Sequence, residues 1–237
     1  MEVVIVKDLH EACQKVYEVF EKQLNQKKDS VLGLATGSSP IDLYAMLCAS
    51  SLDFSKVVTF NLDEYFGLDK AHPQSYRYFM DHHLFDHINI SKENIHIPSG
   101  IGDIQKVCDD YNELLKQYPI DLQLLGMGSN GHVGFNEPGT PFDSVTHYIA
   151  LKQSTIEDNA RLFFNGNIDE VPKNAITMGI SNILSAKKIV LIACGPKKHK
   201  AIQRLLNGEI SEDLPVSALV SHPDFTLYLD EAAYYGK

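Results

Sequence analysis

An α/β fold is what this sequence predicts, and three observations carry the prediction. Short β-branched apolar runs recur along the chain. Stretches with a 3.6-residue hydrophobic period separate them. The chain also has 237 residues, of which 44% are hydrophobic and 22% charged. That is the length and composition of one substantial domain with a well-buried core. Strand and helix alternating in this way imply right-handed crossovers. The expected architecture is a single Rossmann-like domain over residues 1–237, with a mostly parallel central sheet and helices on both faces. No internal repeat, low-complexity tract or Pro/Ser-rich linker divides the chain.

The elements follow in order. Val3 to Val6 reads as a strand, and the apolar spacing from Leu9 to about Leu24 reads as a long helix. Val31 to Ala35 is a second strand. Pro40 then opens a helix through Leu43, Leu47 and Cys48, since a first-turn residue has no use for the N–H that proline lacks. Val57 to Phe60 is a third strand, followed by helical stretches near 74–86 and 103–117. Asp121 to Leu125, Ala175 to Met178, Lys188 to Ala193 and Phe225 to Leu229 complete the strand series.

Charge and cysteine usage exclude several classes of function. Twenty-one Lys and Arg against 31 Asp and Glu leave a formal net charge of −10, so a nucleic-acid backbone would be repelled. A small anion is still admissible, because it feels a local pocket. Cys13, Cys48, Cys108 and Cys194 form no C-x-x-C pair and carry no zinc or redox signature. The start, Met1-Glu2-Val3-Val4-Ile5, has no basic and apolar signal segment. No apolar run approaches the roughly 18–20 residues that a membrane span needs. A cytoplasmic protein with reduced thiols is expected.

In a parallel α/β sheet, ligands bind beyond the carboxyl ends of the strands, so the residues there deserve the closest reading. After the second strand stands Ala35-Thr36-Gly37-Ser38-Ser39-Pro40, small and hydroxyl-bearing, ahead of a helix N-terminus. Exposed N–H groups and the helix dipole make this a good phosphate cradle. It is not a Walker A loop, and it also reads as an ordinary turn with Ser39 as the N-cap. After the third strand stand Asp63 and Glu64. Either could be a general base, the other a cap or surface acid; extended backbone turns only one of them toward the crevice, and periodicity leaves open which.

After the strand at 121–125 comes GMGSNGHVGFNEPG, residues 126–139, with five glycines in fourteen residues. Asn130, His132 and Glu137 lie within it, and an imidazole supported by a carboxylate moves protons near neutral pH. The G-x-G-x-x-G at 126–131 lacks the acidic strand end of a nicotinamide site, and His132 would intrude on a pyrophosphate. Two cationic features complete the inventory: Arg161 in a helical stretch, and the basic helix start that holds Lys198. His83 and His87 share a metal-like i, i+4 spacing but lie inside a helix, away from any strand end. They read as part of a His-rich amphipathic helix.

FNLDEYFGL at 60–68, HPQSYRYFM at 72–80 and residues 126–139, with LATGSSP at 34–40 and VPKNAITMGI at 171–180, resemble the glucosamine-6-phosphate deaminase family. The similarity runs in register over nearly the whole chain. The resemblance implies conversion of glucosamine 6-phosphate and water to fructose 6-phosphate and ammonia, with no cofactor and no metal. It assigns Asp63 as the base at C2 and His132 as the ring-opening acid/base, with Glu137 and Asn130 as its partners. Thr36, Gly37, Ser38 and Ser39 become the phosphate loop, and Arg161 and Lys198 the cationic phosphate ligands. Some members carry Asp where this chain has Asn130; an amide can orient the imidazole but cannot stabilise its cation by charge. Two other readings share the fold: a 6-phosphogluconolactonase and a sugar-phosphate-sensing domain. The Asp-Glu-Tyr segment and the Asn, Glu and Pro after His132 favour the deaminase. The chain stops soon after its last strand, where family hexamers run longer, so a monomer is expected.

Overall fold

The computed structural model describes residues 1–236 and builds seven strands into one parallel sheet. These are β1 (Glu2–Val6), β2 (Val31–Leu34), β3 (Val58–Asn61), β5 (Ile95–His96), β6 (Leu122–Gly126), β9 (Ile189–Ala193) and β10 (Phe225–Asp230), in the order β1-β10-β9-β6-β2-β3-β5. A second sheet of three antiparallel strands has the order β4-β8-β7, from β4 (Asp63–Tyr65), β7 (His147–Ala150) and β8 (Asn174–Thr177). The helices are α1 (Leu9–Gln26), α2 (Ile41–Ala49), α3 (Tyr76–His83), α4 (Ile104–Gln117), α5 (Gln153–Phe163), α6 (Ile180–Leu184), α7 (His199–Leu206) and α8 (Glu231–Tyr235).

Local chemistry explains the first of these. Asp8 caps α1 by accepting from the Glu11 N–H at 2.9 Å, and Ala12, Cys13, Val16, Phe20 and Leu24 form its buried stripe. The central strands β2 and β9 are buried along their whole length, as a sheet covered on both faces requires. The described portion of the chain thus has the α/β architecture that its pattern predicts.

Two expectations need correction. The segment at 175–178, read as one more strand of the main series, belongs to the second sheet: Asp63 pairs with Thr177, and Thr177 with His147. A short β-branched apolar run signals a strand but does not name its partner, and here the partners come from distant parts of the chain. Ser39 is not the N-cap of α2; Pro40 holds that place without any side-chain hydrogen bond, leaving the first N–H groups of the helix to other acceptors.

The second sheet has its own apolar cluster of Tyr65, Phe135, Leu151, Ile156, Ala160, Phe164, Val171 and Ala175. It holds α5 over the carboxyl end of the main sheet. The chain order reverses between β2 and β6, which are neighbours in the sheet. Such a reversal opens a crevice where the two flanking loops diverge.

Candidate active site

A cavity of about 160 Å³ lies at that reversal. The β2 loop supplies Thr36, Gly37, Ser38 and Ser39; the β6 loop supplies Gly128, Ser129 and His132; the end of β3 leads to Asp63; and Lys198 comes from beyond β9. Segments up to about 160 residues apart in sequence therefore meet because parallel strands end on the same side of the sheet.

The acidic pair divides its labour. Asp63 lines the cavity. Glu64 is buried behind it, accepting from the N–H groups of Tyr65, Tyr76 and Arg77 at 2.9, 2.8 and 3.0 Å. It thus ties β4 to the first turn of α3 and fixes Tyr76, whose ring forms part of the cavity wall. Burial, with the neighbouring Glu64 charge second, pushes the Asp63 carboxyl up to about 8. Gly134, at φ 58°, leaves room for it: a Cβ there would stand 3.3 Å from Asp63 Oδ2 and 2.9 Å from Thr177 Oγ1.

The β6 loop builds the second group. A Cβ on Gly128 would come within 2.2 to 2.4 Å of the His132 ring atoms Cε1, Nδ1 and Nε2, so only glycine lets the imidazole lie over the loop. Asn130 Oδ1 accepts from the His132 N–H at 3.1 Å, while Asn130 Nδ2 donates to Glu137 Oε2 at 2.9 Å. The same carboxylate oxygen stands 3.7 Å from His132 Nδ1, which has no hydrogen-bond partner among the described residues. Desolvation lowers the His132 pKa, the Glu137 charge opposing it and the Lys198 charge assisting. The resting imidazole is therefore neutral at pH 7 and able to accept a proton.

At the opposite end, the Thr36–Ser39 turn faces Lys198, which stands at the N-terminus of α7. Desolvation lowers the Lys198 pKa, against the pull of Asp158. Arg161 does not line the cavity: it is exposed on α5 and donates to Asp158 Oδ1 at 3.0 Å. The reason is local, since residues three apart on a helix are neighbours. Asp158 also lies 3.8 Å from Lys197 Nζ and accepts from Ser129 Oγ at 3.3 Å.

Sequence reading passed over the α5 wall. Thr155, Asp158, Asn159 and Leu162 all line the cavity, at the i, i+3, i+4, i+7 spacing of one helix face. That spacing was available in the sequence, but the cavity face mixes polar and apolar residues, while the apolar stripe of the same helix, with Ile156 and Ala160, turns to the cluster of the second sheet. The histidines at 83 and 87 lie outside this cavity, and among the described residues no group of three His, Cys, Asp or Glu side chains could hold a metal ion.

Fold and cavity together define an α/β protein with a polar crevice at the carboxyl ends of its parallel strands, the place where such sheets bind small ligands. A family model described as glucosamine-6-phosphate isomerases/6-phosphogluconolactonase matches residues 7–228. A glucosamine-6-phosphate deaminase of Lactobacillus delbrueckii subsp. bulgaricus is 50% identical, over 98% of each chain. One from Thermoanaerobacter pseudethanolicus is 47% identical over 98% of this chain and 94% of its own. The chain belongs to the glucosamine-6-phosphate deaminase family. A solved structure of a monomeric glucosamine-6-phosphate deaminase superposes with a TM-score of 0.96 at 42% identity, covering 100% of both chains. A 6-phosphogluconolactonase from Thermotoga maritima gives 0.78 at 20% identity over 97% of this chain and 98% of its own, a likeness of fold alone.

Proposed function

We propose that this cavity deaminates glucosamine 6-phosphate to fructose 6-phosphate and ammonia. The observation that carries the reading is one cavity holding a buried high-pKa carboxylate, a neutral imidazole backed by a carboxylate, and an anion cradle. The closed sugar has no free carbonyl. His132 takes the proton of the anomeric hydroxyl and returns one to the ring oxygen, and Glu137 stabilises the transient imidazolium. The resulting aldehyde acidifies the C2 hydrogen. Asp63 removes it and delivers it to C1, leaving a C2 iminium that water converts to ketone and ammonia. A base whose pKa lies near 8 holds a proton long enough to return it, which a carboxylate of ordinary acidity does poorly. The phosphate, held by residues 36–39 and Lys198, fixes the sugar remotely from the reacting carbons.

The test is a coupled assay for ammonia and fructose 6-phosphate, with 6-phosphogluconolactone as control. Lactone turnover without ammonia would overturn the reading.

In this proposal the substrate phosphate competes for Lys198 with Asp158, which lines the same cavity and whose charge acts on that ammonium. Asp158→Asn removes that competitor and a like charge, and is expected to lower KM about two- to fivefold, the scale of a partly exposed ion pair. A higher KM would mean that Asp158 holds the cation in place for the phosphate.

We further propose a cytoplasmic monomer with hyperbolic kinetics; the likeness over full length to a monomeric relative supports the monomeric state. Light scattering should return about 26.5 kDa. A hexamer mass, or a sigmoidal saturation curve, would refute it.

A further inference from the structure

We propose that Thr155 is a positioning residue for ring opening, its hydroxyl aiming the Glu137 carboxylate at His132. This rests on the proposal that His132 and Glu137 open the sugar ring. Glu137 is buried, and its backbone carbonyl is pinned by Thr140, which donates through Oγ1 at 2.7 Å and through its N–H at 3.0 Å. The side chain still has freedom to turn. Two donors remove it: Asn130 Nδ2 on Oε2 and Thr155 Oγ1 on Oε1.

The two donors differ in origin. Asn130 shares the β6 loop with His132, so its bond moves with the imidazole. Thr155, 4% exposed, belongs to the first turn of α5, whose apolar residues Ile156 and Ala160 pack, with Phe164 just past its end, in the separate cluster under the second sheet. Thr155 therefore references the carboxylate to an element outside the catalytic loop. Without its hydroxyl, Oε1 is a buried acceptor with no donor, and a carboxylate in that state turns toward whatever donor is near. The nearest unpaired ring nitrogen is His132 Nδ1, 3.7 Å from the other oxygen. Turning redistributes the bonds to Asn130 and His132 and loosens the imidazole that must reach both ring oxygen and anomeric hydroxyl.

Thr155→Val keeps the shape of the side chain and removes only the hydroxyl; Thr155→Ser keeps the hydroxyl. With glucosamine 6-phosphate, Thr155→Val is expected to lower kcat about ten- to thirtyfold through misplacement of the imidazole, with KM changed less than threefold. Exchange of the C2 proton in an open-chain substrate analogue should stay within about twofold of the parent, because Asp63 is untouched. Thr155→Ser should recover kcat to within about threefold. Equal losses in turnover and exchange, an unchanged kcat in the valine variant, or a serine variant no better than valine would each overturn the inference. If Thr155→Val does not fold, a serine variant that itself lowers kcat tenfold or more would overturn it, and one of near-parental activity would support it. The same two measurements on His132→Gln separate the underlying reading. If that variant also fails to distinguish turnover from exchange, the ring-opening assignment falls; if it distinguishes them and Thr155→Val does not, only the role of Thr155 falls.

Discussion

Asp63→Asn should reduce turnover by about two to four orders of magnitude, the range expected when a general base is removed, while substrate binding persists. The amide keeps the size of the side chain but cannot take the C2 proton. Glu64→Gln should be far milder toward chemistry, because Glu64 spends its oxygens on the N–H groups of Tyr65, Tyr76 and Arg77. A crippling Glu64→Gln with a mild Asp63→Asn would reverse the assignment within the pair.

The same burial that makes Asp63 a strong base has two consequences for pH. The reactive form is the anion, so kcat/KM of the parent should climb with pH toward a plateau above about 8. Stability should run the other way. The folded state holds the Asp63 proton more tightly than the unfolded chain, where the carboxyl titrates near 3.8. Its favourable contribution is complete below that value and is lost as pH rises toward about 8. Asp63→Asn never ionises, and should therefore be more stable than the parent at pH 8 by about 1–3 kcal/mol. The gain should vanish near pH 4. Thermal unfolding of both proteins across that interval measures it; a variant less stable than the parent at pH 8 would show that the charge is well accommodated.

His132→Gln should slow glucosamine 6-phosphate by about two to three orders of magnitude and leave C2 proton exchange in an open-chain analogue nearly intact. Glutamine preserves some hydrogen bonding at the site but cannot carry a proton between ring oxygen and anomeric hydroxyl. The selectivity is the decisive quantity, because a general disturbance of the loop would reach Asp63 through Gly134, which packs beside both Asp63 and Thr177. Equal loss on both substrates would place His132 in the enolisation step.

Much of this site is legible in the sequence. The strands and helices of the main sheet announce themselves by local period, and a parallel sheet points to its own strand ends, so the loops at 35–40 and 126–139 were marked by position as well as composition. Asn130, His132 and Glu137 lie within one short loop, and chain connectivity alone keeps them close.

What the sequence left open was set by contacts between distant segments. Period shows that a residue is buried, not what it is buried against. The choice of Asp63 over Glu64 for the cavity depended on β4 pairing with β8, and on the first turn of α3 arriving to occupy Glu64. The 175–178 strand left the main series because its partners, at 63–65 and 147–150, offered antiparallel edges that no local pattern encodes. Arg161 is drawn to Asp158 on its own helix, and Thr155 reaches Glu137 across eighteen residues. Side-chain chemistry and its local spacing were therefore properties of the sequence. Which groups meet, and which face the cavity, was decided by non-local pairing and packing.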